Sequence, residues 1–448
     1  MRNSEALGTT DVRKLIFSLG WPAALNFSVV TLYNLTDIFF IGKWLGSVQI
    51  AAVVIVGLAI FLFSSFGLAI GIGGGTLITS ALGVGDKERA SRVLGNQNIL
   101  VFAFSVLIVA SGWVFRKPVL ELFGAGGDIF HHASAYYKIL LFGVPFLSWV
   151  MMGNSVIHSM GRAKVAMLNS VIPTVVNLIL TPLFIRGFGM GIEGAAWATA
   201  IGYVLGSLLV LRFFAYNRSE VKLSYPFTQV NTKLMGEMSG IGGSVLTNVI
   251  TTNLFIIALN HALFNYEQEL GVVIYGIINR ISMLFLVLIV GIEGGIRPII
   301  SYNFGRQDVT RIKDTVNSAM KYGLVIGYIV SGMIFLSADP LVRLFTDDSQ
   351  VIVKTPFAMK VIFSFIPFSV IQAIATAYYQ AVSNSKMAFC LVLLRNIILF
   401  IPLLYGLAYS FGYQGILYVF PVVDILTAMF AAWLLRNELS LKRLSPSG

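Results

Sequence analysis

One cysteine, Cys390, stands in 448 residues, so no intramolecular disulfide can form. Charge is nearly as scarce. Asp, Glu, Lys and Arg make up 11% of the chain against 57% hydrophobic residues, and the mean hydropathy is +0.83. A soluble protein of this size needs a far more polar surface, which excludes that class. The four histidines, His131, His132, His158 and His261, show no ligand spacing for a metal. No clustered aspartate motif is present for Mg²⁺-diphosphate chemistry, which argues against a membrane-embedded prenyl-transfer enzyme. "GIGGG" (71–75) lacks the lysine and strand of a phosphate loop, and its glycines better suit close helix packing. No enzyme is expected. The start, "MRNSEALGTTDVRKL", has neither a continuous apolar core nor a small-residue cleavage site, so the first span is expected to serve as the insertion signal.

What is abundant is apolar sequence in runs near the ~20 residues that cross ~30 Å of hydrocarbon. Hydropathy and chain breakers predict twelve helical spans at 14–42, 50–82, 93–114, 134–157, 165–186, 192–214, 238–264, 271–300, 315–336, 357–381, 388–409 and 413–435. The polar stretch 215–237 separates a first half, 1–214, from a second, 238–448. Basic residues collect at the N-terminus (Arg2, Arg13, Lys14), the second loop (Lys87, Arg89, Arg92), the middle linker (Arg212, Arg218, Lys222, Lys233), the eighth loop (Arg306, Arg311, Lys313) and the tail (Arg436, Lys442, Arg443). The positive-inside rule places both termini in the cytoplasm. The net charge of +11 is thereby explained by topology and lipid headgroups rather than nucleic acid.

The halves resemble each other. "GIGGGTLITSALGVG" (71–85) aligns with "GIEGGIRPIISYNFG" (291–305) at an offset of 220, and "PVLELF" (118–123) with "PLVRLF" (340–345) at 222. Six spans per half give the halves one orientation, related by an axis along the membrane normal, with a cavity near the midplane. That is transporter architecture.

Polar groups inside spans must be paired or face water. Asp37 sits in "VVTLYNLTDIFFIG" (29–42), where a carboxylate at the membrane centre costs roughly 3 kcal/mol. It reads either as an interfacial aspartate facing Lys43 or as a protonatable, cation-binding group. Pro22, in the same helix, removes a backbone hydrogen bond and crowds the preceding turn, so the helix can bend there. Glu293 and Arg297 are spaced i, i+4, and read either as a self-neutralising pair or as groups that handle substrate or protons. At the repeat offset of 220 they stand where Gly73 and Leu77 do. Aligning "SVLTNVITTNLFI" (244–256) with "SVVTLYNLTDIFF" (28–40) sets Asn253 opposite Asp37. Asp424 can pair with Arg395 or Arg280. Asn26, Asn34 and Asn217 begin chance N-x-S/T triplets.

"LYNLTDIFFIGKWLG", the Gly-rich second span and the following "SALGVGDKERASRVL" resemble the multidrug and toxic compound extrusion (MATE) family. "VNLILTPLFIRGFGMGIEGAAWATAIG" (176–202), "YYQAVSNSKMA" with Gln380, "LVLLRNIILFIPLLY" and "FPVVDILTA" extend the likeness over both halves. The resemblance implies an all-α membrane protein of twelve transmembrane helices, in two pseudo-symmetric six-helix lobes forming a V. It implies export of small amphipathic, often cationic compounds against H⁺ or Na⁺, with no organic cofactor and no transition metal, from a monomer in the cell membrane. It leans toward the bacterial and archaeal branch whose N-lobe carries the cation site. Asp37 then matches the family's first-helix carboxylate and Pro22 its bending proline. Asn177 and Thr199 match polar members of the same site, and Tyr33, Asn34 and Asn154 lie near the drug pocket. The family's "NxxLDP" reads "NLILTP" here, so Thr181 replaces a second aspartate. A lipid-linked saccharide flippase of the wider superfamily is the alternative, kept open by Arg280, Arg297 and Arg395.

Overall fold

In the computed structural model, residues 3–216, 220–223 and 230–440 are described; Arg2, Asn217, Arg218, Lys442 and Arg443 lie outside them, as do the side chains of Asn34 and Leu35. The described chain is helical: α1 (Asn3–Thr9), α2 (Val12–Trp44), α3 (Ser47–Gly83), α4 (Lys87–Val114), α5 (Arg116–Leu122), α6 (Gly127–Ser159), α7 (Ala163–Pro182), α8 (Gly191–Ala215), α9 (Thr232–Gly305), α10 (Val309–Arg343), α11 (Ser349–Phe363), α12 (Ile366–Ala381), α13 (Ser385–Leu393) and α14 (Phe400–Ser440). Two π segments, Leu183–Gly187 and Leu394–Leu399, follow α7 and α13.

Nine helical stretches among the described residues are long and apolar enough to cross a bilayer, and α11 with α12, bent by 46°, makes a tenth. Two stretches hold two crossings each. A straight 74-residue helix would run about 110 Å, but α9 breaks at Gln268 (φ 54°, ψ −142°), and Leu259 and Ile278, on either side, line one apolar cavity. α14 breaks in the same way at Gly412 (φ 58°, ψ −139°), where Leu404 packs back on Ile416. Among the described residues the total is then twelve spans, as hydropathy predicts. The short α1 and α5 are additions that no apolar run announces.

By packing, the chain divides into two units. The first holds residues 1–6 and 25–245, the second 7–24 and 246–448. These units cut across the sequence halves: the start of α2 belongs to the second, and the start of α9 to the first. Both changeovers have a physical reason in backbone contact. A Cβ on Gly73 would run into the carbonyl of Met238, and one on Gly295 would lie 2.6 Å from that of Ile16. Only glycine lets backbones approach so closely.

These two contacts are related by a single offset, 222, and so are three turns. The left-handed residues Gly46, Gly85 and Gly161 recur as Gln268, Gln307 and Ser383, which are among the few non-glycine residues held at positive φ. The N-caps repeat as well, with Asp86 accepting from the Arg89 amide (2.8 Å) and Asp308 from that of Arg311 (3.0 Å). This register corrects two alignments made from sequence. Glu293 and Arg297 stand opposite Gly71 and Gly75, not Gly73 and Leu77. Asp37 stands opposite Leu259, not Asn253. Short identities in apolar sequence slide by a few residues, whereas turns and glycine contacts do not.

Candidate functional site

Three helices of the first unit bring a polar cluster together. α2 supplies Tyr33 and Asp37 one turn apart, α7 supplies Asn177 and Thr181 one turn apart, and α8 supplies Thr199. Asp37 is 6% exposed and Thr181 0%. Thr181 Oγ1 lies 3.2 Å from Asp37 Oδ1 and 3.2 Å from Asn177 Oδ1. Asn177 Nδ2 donates to Thr199 Oγ1 at 3.1 Å, and the Tyr33 hydroxyl is 3.3 Å from the same oxygen. Asp37, Asn177, Thr181, Thr199 and Tyr33 thus form one network.

Among the described residues Asp37 has a single hydrogen-bond donor and no ion-pair partner. Lys43 lies instead 5.7 Å from the Phe39 ring centroid. The reading of Asp37 as an interfacial partner of Lys43 therefore falls. Two further tyrosines border the carboxylate, Tyr136 from α6, which also reaches Thr199, and Tyr203 from α8. Sequence reasoning missed both. Tyr203 sits four residues after Thr199, hence on the same helix face; Tyr136 has no such signal, because tertiary packing alone delivers α6.

A hydroxyl carries one proton, so Thr181 can satisfy only one of its two acceptors at a time. With Asp37 ionised, the proton goes to the carboxylate and Asn177 Oδ1 loses its donor. With Asp37 protonated, its own O–H donates to Thr181, whose proton turns to Asn177. One added proton thus completes the chain from Asp37 to Thr199. An alkali cation would draw on the oxygens of Asp37, Thr181 and Asn177.

The remaining predicted residues are placed elsewhere. Pro22 is buried within α2, two residues before the helix passes from the second unit to the first. Asn154 donates to Ser170 (3.1 Å) and accepts from Asn169 (3.2 Å), apart from the Asp37 network. In the second unit Arg297 Nη2 meets Glu293 Oε2 at 3.4 Å. Asp424 pairs with Arg395 (2.9 Å), not Arg280, which is exposed. Gln380 is buried, and exposed Asn253 donates to the carbonyl of Val249 on its own helix.

The second unit holds an apolar replica of the network. Beyond the π segment Leu394–Leu399, which inserts one residue, buried Phe400 and Leu404 stand opposite buried Asn177 and Thr181. Aligned on Gly194 and Gly415, Thr199 corresponds in the repeat to Phe420; Tyr33 and Asp37 correspond to Phe255 and Leu259. All five replacements pack in one hydrophobic cluster.

Comparison with known proteins agrees with the duplication. The chain is 25% identical over 438 residues to the multidrug export protein MepA of Staphylococcus saprophyticus, covering 97% of this chain and 96% of that protein. MepA of Staphylococcus aureus (strain NCTC 8325 / PS 47) is 25% identical over 434 residues, with 96% of each chain covered. A crystal structure of MATE in the bent conformation superposes with a TM-score of 0.94 at 23% identity, covering 99% of this chain and 98% of that one. The MatE family model matches twice, at residues 22–183 and 244–405, the two matches offset by the same 222. Because those matches take in most of both halves, this chain belongs to the MatE family.

Proposed function

We propose that the chain is a secondary multidrug exporter that moves small amphipathic, cationic compounds out of the cell against H⁺ or Na⁺, from the cell membrane, as a monomer with both termini in the cytoplasm. The observation that carries this reading is the buried Asp37, which among the described residues has one hydroxyl donor and no ion-pair partner. Such a carboxylate is costly in a membrane unless it is protonated or holds a cation, and unpaired ones mark ion pathways. Family membership and the MepA relatives support the exporter class, and no enzymatic step is involved.

In the cycle, the outward-open protein takes its ion at Asp37, α2 bends near Pro22, and the pocket beside Tyr33 shrinks and expels substrate. Substrate binding from the cytoplasm then favours ion release inside. The two conformations must differ in affinity for both ligands, or nothing couples. Thr181 takes the place of a second carboxylate, so one coupling ion per cycle is expected. Two of the three arginines that suggest a saccharide flippase, Arg297 and Arg395, are partnered by Glu293 and Asp424, which disfavours that alternative.

The test is export of a cationic dye from proteoliposomes under an imposed pH or Na⁺ gradient, comparing wild type with Asp37→Asn. Gradient-driven export should vanish in the variant, and the gradient that drives wild type identifies the ion. Unchanged coupled export in Asp37→Asn, or translocation of lipid-linked sugar with no dye export, would overturn the reading.

A further inference from the structure

The base of α2 is fastened within the second unit at several levels. At its foot, α1 ends and α2 begins across a two-residue corner, 10–11. The last carbonyls of a helix have no partner within it, and here side chains of α9 and α10 supply one. Arg311 Nε donates to the Leu7 carbonyl at 3.1 Å, and Arg311 Nη2 donates to that of Thr10. Asn303, fully buried, donates from Nδ2 to the same Leu7 carbonyl at 3.0 Å. Asp11 completes the corner by accepting from the amides of Arg13 (3.0 Å) and Lys14 (3.1 Å), which starts α2.

Higher up, the contact with α9 is backbone to backbone. A Cβ on Gly295 would lie 2.6 Å from the Ile16 carbonyl, and one on Gly20 would lie 2.5 Å from that of Gly291. Phe17 packs edge-on against Tyr322 of α10, with ring centroids 5.5 Å apart. Pro22 follows within one turn, and there the helix lacks the amide that would meet the Ser18 carbonyl. From Leu25 onward α2, with Tyr33 and Asp37, packs in the first unit. This fastening is not general to the turn. At the offset of 222 the first unit has Ala81 for Asn303 and Arg89 for Arg311, and Arg89 meets the Glu237 side chain at 3.8 Å instead.

We propose that Arg311 is a positioning residue for coupling. It fixes the base of α2 on α9 and α10 through the whole cycle, so that an ion taken at Asp37 bends the helix at Pro22. A rod held at one end yields at its weakest turn, whereas a rod free at both ends tilts or slides. Arginine suits the task because its planar guanidinium offers fixed, charge-assisted donors to two carbonyls at once. Arg311 has this role only in an exporter, so the inference rests on that reading.

The experiment is gradient-driven export of a cationic dye from proteoliposomes, using Phe17→Cys/Tyr322→Cys in a Cys390→Ser parent. Phe17 is exposed, and a short bis-methanethiosulfonate linker, reversed by dithiothreitol, joins the two positions. The joined parent should export at no less than half the unjoined rate, because the base of α2 does not move on α10. Arg311→Ala should export at least tenfold more slowly while binding dye at equilibrium within twofold of the parent. Joining 17 to 322 should return its rate to at least half the parent's, and dithiothreitol should remove the gain. A merely structural arginine would show neither the split nor the rescue. If Arg311→Ala does not fold, the joined parent carries the comparison. The proposal is overturned if joining stops export in the parent, if folded Arg311→Ala exports like the parent, or if joining fails to rescue it. An unjoined parent that exports under neither gradient defeats the exporter reading itself, and the coupling role of Arg311 with it.

Discussion

Substituting Leu259→Asp builds the missing carboxylate of the second unit at the place where the repeat sets it. Leu259 is fully buried among Phe255, Phe400, Leu404 and Val419. Losing its burial costs about 1.5–3 kcal/mol, and an unsatisfied polar group adds about 1–3 kcal/mol. On the order of 4 kcal/mol then corresponds to a fall of roughly 8–16 °C in Tm for a unit of this size. Leu404→Thr supplies the hydroxyl that Thr181 gives Asp37. Alone it too is destabilising, because it removes apolar contact. Combined with Leu259→Asp it should return about 1.5–3 kcal/mol as coupling, the worth of a hydrogen bond to a charged group. The double variant should therefore unfold roughly 3–12 °C above the additive expectation. Asn253→Asp, at an exposed site, should shift Tm by no more than about 2 °C. The assay is thermal unfolding of the purified variants in detergent. A strictly additive double variant, or an Asn253→Asp as damaging as Leu259→Asp, would refute the 222 register and the replica it implies.

Thr181→Val removes the one donor to Asp37 among the described residues, worth about 1.5–3 kcal/mol; gradient-driven dye export in proteoliposomes should fall at least tenfold, while Thr181→Ser stays near wild type. Gly295→Val drives a side chain against the Ile16 carbonyl at 2.6 Å, and thermal unfolding should show a loss of about 1–3 kcal/mol; Gly332→Ala, with no heavy atom within 4 Å, should be neutral or slightly stabilising. Glu438, beyond the last predicted span, has its carboxyl raised above the ordinary 4.5 by burial, opposed by a hydrogen bond from Tyr379. The folded chain holds that proton more tightly than the unfolded chain. Its contribution to stability is therefore full below about pH 4.5 and is lost as pH rises through the folded value. Glu438→Gln should remove this fall, raising Tm at neutral pH and leaving it unchanged near pH 4.

The candidate site was legible where chemistry is local. Asp37 is expensive in any membrane span, and Tyr33 and Thr181 follow by helix spacing and by a motif departure. Tyr136 was not legible, because only the packing of α6 against α2 and α8 brings its hydroxyl near Thr199. Asp424 had two possible partners by sequence. Choosing Arg395 over Arg280 required the geometry that places the π segment Leu394–Leu399 beside α14. The repeat itself was visible, but its register was not. Apolar residues match one another at many offsets, whereas Gly46 and Gln268, or Gly73 and Gly295, answer to backbone conformation and contact.

By itself, then, the sequence determined twelve spans, a duplicated plan and one isolated carboxylate, since hydrophobic length and the cost of buried charge are set residue by residue. The tertiary structure decided where the packing units change over within α2 and α9, which polar groups share protons with Asp37, and that the second unit repeats the site in leucine and phenylalanine. Those are matters of which helix faces meet, and no single helix specifies its neighbour.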